Sequence, residues 1–172
     1  MNETFADIIN RRSIRKYENK PVPREMIFKL LQAAMNAPSA CNQQPWHFVI
    51  IEDKNILDKI SRIHGGFTTI KNSPVTILVC GQPDITQLEF FWQQDCSAAT
   101  QNIHIAAKSL GLGSVWMGIN PNGGQDSDII REALNLPDNI KPFSLVSVGF
   151  PAESRKVEDR FNESRIHYNN VW

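Results

Sequence analysis

The sequence predicts an α+β fold: a mixed central β-sheet with helices on its faces. Three observations carry this. Short apolar runs at 46–51, 75–80, 114–117 and 144–148 have the length and composition of buried strands. Segments with apolar residues at helical spacing lie between them. The 172 residues, 41% hydrophobic and 21% charged, suffice for one real core and are too few for two comfortable ones.

Thr4 can cap a short helix that runs through Ile8 and Ile9 to about Arg11. Pro23 suits a first helical position, and Ile27, Leu30, Leu31 and Ala34 follow on one face. That helix is expected to end near Asn36, because Ala37 precedes Pro38 and is pushed towards extended backbone. Residues 36–45 read as a loop, with Trp46 as a core anchor at the start of the first strand. A helix over 54–63 carries Ile56, Leu57, Ile60 and Ile63. The longest helix is expected from about Thr86 to Leu110, with small apolar residues in its middle and Gly111 as its C-terminal cap. A helix over 127–134 precedes the last strand. From about 150 to 172 the periodicity fades, yet Phe161, Ile166, Tyr168, Val171 and Trp172 punctuate a charged stretch. Such a tail reads as an arm that wraps a second subunit, with folding back on its own domain as the alternative, in a chain that is otherwise one domain over 1–172.

The formal net charge is zero, which argues against a nucleic-acid binder. No apolar stretch approaches the roughly 18 residues of a transmembrane helix, and the first residues lack a signal peptide's apolar centre. The three cysteines, Cys41, Cys80 and Cys96, form no CxxC pair, and the four histidines show no metal-ligand spacing. A soluble protein of a reducing, cytoplasmic compartment is expected, with no membrane or nucleic-acid partner.

Four clusters bear chemistry. Arg11-Arg12-Ser13-Ile14-Arg15 concentrates guanidinium forks that match phosphate oxygens; the alternative is a solvated basic turn. The loop from Ala37 to Trp46 offers amides, a hydroxyl and exposed backbone between two prolines, suited to the polar edge of a planar heterocycle. Cys41 within it reads as a passive position. Gly111 to Ile119 is glycine-rich but lacks GxGxxG spacing, so a helix cap followed by a buried strand stands beside ligand approach. Arg155, Lys156 and Arg160 could complete the charge around a phosphate, or form a solvated run with Glu153, Glu158 and Asp159.

Together RRSIRKY, APSACNQQPWHF and GLGSVWMGI, in this order and spacing, resemble the nitroreductase family of FMN enzymes over nearly the whole chain. The resemblance implies the nitroreductase-like fold, with the C-terminal arm exchanged in a homodimer and two flavins at the interface. It implies that Arg11, Arg12, Ser13 and Arg15 meet the FMN phosphate and ribityl chain. Pro38, Ser39, Ala40 and Asn42 match the loop along the flavin, supplied in the family by the other subunit. Met117, Gly118 and Ile119, preceded by Trp116, match the segment against the ring, where a backbone N–H meets the nitrogen that receives hydride. Lys156 matches a basic residue near the phosphate. Glu158 stands where the family often has a second, so Arg160 or Arg155 is the substitute. The implied activity is ping-pong transfer from NADH or NADPH to a nitroaromatic, quinone or similar small-molecule acceptor, with no acid–base residue named and no metal. The alternatives are a flavin-binding module without turnover, a structural or interaction protein with no cofactor, and a flavin-cleaving or dehalogenating relative whose lid segments would have little room at 65–71 and 84–92.

Overall fold

The computed structural model describes residues 2–120, 122–169 and 172. Among these residues five α-helices and four strands follow one another: α1 (Glu3–Asn10), α2 (Arg24–Met35), β1 (Trp46–Ile51), α3 (Lys54–Ser61), β2 (Val75–Gly81), α4 (Trp92–Ser109), β3 (Gly113–Gly118), α5 (Gln125–Leu134) and β4 (Lys141–Gly149). The α+β class is as the sequence predicts.

The sheet runs in the order β1-β2-β4-β3, and every neighbouring pair is antiparallel. A mixed sheet was expected because helix-linked strands commonly pair in parallel. Here the α4 crossover does bring β3 into the same direction as β2, but β4 inserts between them. The parallel pairing found is an isolated bridge at the β3 edge, Ser13 to Ser114.

Two apolar layers cover the sheet. On one face α2 and α4 pack Ile27, Leu30, Cys96, Ala99 and Ile103 against Val75, Ile77, Val79, Val146 and Val148. On the other, Leu57, Ile60, Phe67 and Ile130 meet Leu78, Val115, Met117 and Leu145. Central β2 is buried along its whole length, which explains an apolar run interrupted at Thr76, whose hydroxyl meets Ser147 Oγ at 3.1 Å. Trp46 is buried, as expected of a core anchor.

Several boundaries move for local reasons. Asn2, rather than Thr4, caps α1: its Oδ1 accepts from the Phe5 N–H at 2.9 Å. Pro23 is the N-cap of α2 rather than its first residue, and its carbonyl accepts from Ile27 N at 3.2 Å. α3 stops at Ser61, two residues early, and Ile63 closes a 3-10-type turn onto Ile60. The long helix begins at Trp92, not near Thr86. Residues 83–91 instead form two 3-10 turns: Thr86 Oγ1 donates back to Pro83 O at 2.5 Å, and Gln43 captures the backbone of Leu88. Gly111, at φ +73°, follows the α4 C-cap as expected.

Candidate functional site

Residues 11–18 leave α1 and run beside the edge of the sheet. Ile14 N donates to Ser114 O at 3.0 Å, Glu18 N to Phe150 O at 2.9 Å, and Ala152 N to Lys16 O at 2.9 Å. The phenol of Tyr17 reaches Ile14 O at 2.6 Å and Ser147 O at 3.2 Å, and burial raises its pKa. Gly113 is required for this approach, since a Cβ there would strike Ile14. This glycine of the glycine-rich run therefore serves chain packing rather than a ligand. Glu153 fastens the far side: its carboxylate accepts from Arg15 N at 2.7 Å and pairs with Arg155 at 2.9 Å. The Arg15 N–H, and then Arg155, hold its pKa below the usual carboxylate value.

The result is a basic recess of about 460 Å³. Arg11, Arg12, Ser13 and Arg15 line one side; Arg155, Lys156, Glu158 and Arg160 line the other. The first and fourth sequence clusters thus converge from opposite ends of the chain. Arg12 has a distinct job there: its guanidinium donates to the carbonyls of Lys156 (3.0 Å) and Glu158 (3.2 Å), and also to Ile9 O and Arg11 O, tying the tail to the turn after α1. Burial, then Arg160 and Arg12, lower the Arg11 pKa, as expected where like charges converge. Glu158 pairs with Arg160 at 3.3 Å. Several guanidinium and ammonium donors, a hydroxyl and few counter-charges suit a phosphate dianion.

Next to the recess lies the outer edge of β3. Ser114 O accepts from Ile14, so ladder alternation turns the N–H groups of Trp116 and Gly118 to the same outer edge. The side chains of Met117 and Ile119 are buried in the core, and the Ile119 N–H is turned inward to Phe143 O at 3.0 Å. At Gly118 a Cβ would meet nothing within 4 Å, which leaves room for a planar group. Trp116 is held edge-on by Phe143 and in a stacked arrangement by His104, each with ring centroids 6.0 Å apart. His104 is buried; Nδ1 lies 2.7 Å from Ser114 Oγ, and Nε2 has no hydrogen-bond partner among the described residues. Burial, and secondarily Arg11, hold its pKa down to about 4.

The loop of Pro38, Ser39, Ala40 and Asn42 contributes nothing to the recess lining. It sits at the start of α4, where Asp95 accepts from Ala40 N at 2.9 Å and from Gln43 Nε2 at 2.6 Å. Asp95 and His104 escaped sequence reasoning, and Glu153 entered it only as part of a solvated charge run. For Asp95 a signal existed: an acidic residue on the otherwise apolar stripe of Trp92, Cys96, Ala99 and Ile103.

The profile of the nitroreductase family matches residues 8–68 and 64–150. A protein of Methanothermobacter thermautotrophicus named "Putative NADH dehydrogenase/NAD(P)H nitroreductase" is 44% identical over 165 residues, covering 96% of this chain and 86% of its own. The crystal structure of a Parabacteroides distasonis protein of the same name superposes with a TM-score of 0.93 at 38% identity, covering 100% of both chains. An FMN-dependent nitroreductase from Clostridium difficile superposes at 0.88 with 30% identity, covering 97% of this chain and 99% of its own. The antiparallel sheet thus carries, beside its open edge, a basic recess whose donors suit an anion. The chain belongs to the nitroreductase family, a family of oxidoreductase enzymes.

Proposed function

We propose that this chain is an FMN-dependent oxidoreductase that draws reducing equivalents from NADH or NADPH and delivers them to a small acceptor. One observation carries the reading: the basic recess opens beside the outer edge of β3, where Gly118 offers a backbone N–H and an uncovered face. Arg11, Ser13 and Arg15, with Lys156 and Arg160, would hold the phosphate and the near end of the ribityl chain. Trp116, Met117, Gly118 and Ile119 would run beside the ring through their backbone. Arg12 would act as the strut that keeps the tail's basic residues in place.

When bound, FMN supplies the two-electron chemistry, taking hydride from the nicotinamide and yielding it to the acceptor. The protein's part is to fix the position of the ring, place backbone dipoles and cations where negative charge grows, and leave one face open. A single open face used in turn by donor and acceptor gives ping-pong order and breadth of acceptor, with nitroaromatics and quinones as the class. No side chain is assigned as acid or base; acceptor protons come from water.

A homodimer completes the site, with Pro38, Ser39, Ala40 and Asn42 supplied by the second copy to the flavin held at the recess of the first. Two features support this. α1 buries none of its residues and exposes Phe5, Ile8 and Ile9. The described tail from Ser154 onward is exposed throughout, including Phe161, Ile166, Tyr168 and Trp172; Val171 lies outside the described residues. The chain acts as one unit: residues 150–158 are fastened to its own residues 12–18, the described tail beyond them would be the arm exchanged with the second copy, and the protein works in the cytoplasm. No helix among the described residues is long and apolar enough to cross a membrane.

Initial rates of nicotinamide oxidation, measured while a nitroaromatic or quinone is varied at several donor concentrations, test the reading. Parallel reciprocal plots are expected. Converging plots would reject the shared face, and absence of turnover in a flavin-loaded protein would leave a binding module.

A further inference from the structure

We infer that Asp95, in the first turn of α4, is the positioning residue for the loop of residues 38–44, and that through this loop it sets how tightly FMN is held. The inference rests on the assignment of that loop to the flavin made above.

The loop has two backbone bonds of its own, Asn42 N to Ser39 O at 3.1 Å and Gln43 N to Ala40 O at 2.9 Å, but its dihedrals call for further support. Cys41, Asn42 and Gln44 have φ of 48°, 54° and 46°, in the left-handed region that residues with a Cβ avoid. Such conformations persist only where the surroundings over-determine them. Asp95 is a part of those surroundings that comes from another element, α4. One carboxylate oxygen accepts from the Ala40 N–H at 2.9 Å and the other from Gln43 Nε2 at 2.6 Å. Gln43 is locked in turn: its Nε2 also donates to Leu88 O at 3.3 Å, and its Oε1 accepts from Leu88 N at 3.2 Å. Within the loop, Ser39 Oγ accepts from Gln44 N at 3.1 Å.

The chemistry explains why an aspartate stands here. Two N–H groups converge, so both oxygens must accept; asparagine would turn its NH2 against one of them. Asp95 is 5% exposed, a place where a carboxylate is costly unless its oxygens are satisfied. Its position in the first turn of an 18-residue helix favours negative charge. Asp95 therefore links the rigid α4, at the centre of one core layer, to the loop proposed to face the flavin.

The test is FMN titration of flavin-stripped protein, followed by fluorescence quenching, for Asp95→Asn, Gln43→Met, Arg15→Ala and Asn42→Ala. The expected result for Asp95→Asn is an FMN Kd raised about tenfold, with an altered visible circular dichroism of the bound flavin, which reads the ring's surroundings. Gln43→Met, which removes one of the two donors, is expected to raise Kd about threefold. A lowered apoprotein Tm with a wild-type Kd and dichroism would show a merely structural aspartate and overturn the inference. Should Asp95→Asn fail to fold, a wild-type Kd in Gln43→Met overturns it equally. Weakened binding in Arg15→Ala beside wild-type binding in Asp95→Asn would sink the role of Asp95 alone. Wild-type binding in both Arg15→Ala and Asn42→Ala would sink the flavin assignment beneath it.

Discussion

His104 stays neutral in the fold because burial, and then the Arg11 guanidinium, disfavour its protonated form. Its folded pKa is about 4, below the ordinary 6.5, so the unfolded chain binds the extra proton first as pH falls. Stability contributed this way is complete above pH 6.5 and is lost as pH falls towards 4, by up to about 3 kcal/mol. His104→Leu is expected to flatten that slope while costing about 1 kcal/mol at neutral pH through the abandoned Ser114 hydroxyl. Urea midpoints at several pH values check this, and an unchanged slope in the variant would assign the acid sensitivity elsewhere. Arg15 is the counterpart at the ligand side. Its main chain is fastened by Glu153 while its guanidinium lines the recess, so Arg15→Ala removes a charge-assisted donor without unfastening the segment. FMN affinity is expected to fall roughly ten- to a hundredfold, read by equilibrium titration.

Among the elements, the segment from Arg11 to Glu18 and the start of the tail form one composite. Arg12 donates to the carbonyls of Lys156 and Glu158, and Glu153 returns the link to Arg15. Arg12→Ala is expected to raise amide exchange across 153–160 by about tenfold or more and to leave α4 and the sheet protected; exchange that stays slow in the tail would contradict the strut. This composite also marks the limit of what the sequence made legible. The strands were visible to within three residues at either end because buried strands are written as apolar runs. The three motifs were visible because they hold unusual concentrations of arginine, amide and glycine. The onset of α4 was not, because Gln43 reaches across more than forty positions to claim Leu88. The purpose of Gly113 was hidden as well: its lost Cβ makes way for Ile14, a contact no local pattern records. β4 lying between β2 and β3 is likewise a matter of long-range order.

In the whole molecule, charge balance conceals a strong local field. Net charge is zero, yet Arg11, Arg15, Arg155, Lys156 and Arg160 gather at one recess, opposed mainly by Glu153 and Glu158. Apolar residues on α1 and the tail stay exposed in a single copy, which is the basis for the proposed exchange of arms. Deletion of residues 155–172 is expected to lower both the dimer fraction in analytical ultracentrifugation and the flavin content of the purified protein. A truncated chain that stays dimeric and yellow would remove the tail from both roles. The central claim is that this chain holds a reducible flavin, and the absorption spectrum of the purified protein before and after anaerobic NADH or NADPH tests it most directly. The account predicts oxidised-flavin bands near 370 and 450 nm, roughly, that bleach on adding a nicotinamide. A protein that shows no such bands even after incubation with FMN, or bands that neither nicotinamide bleaches, would contradict it.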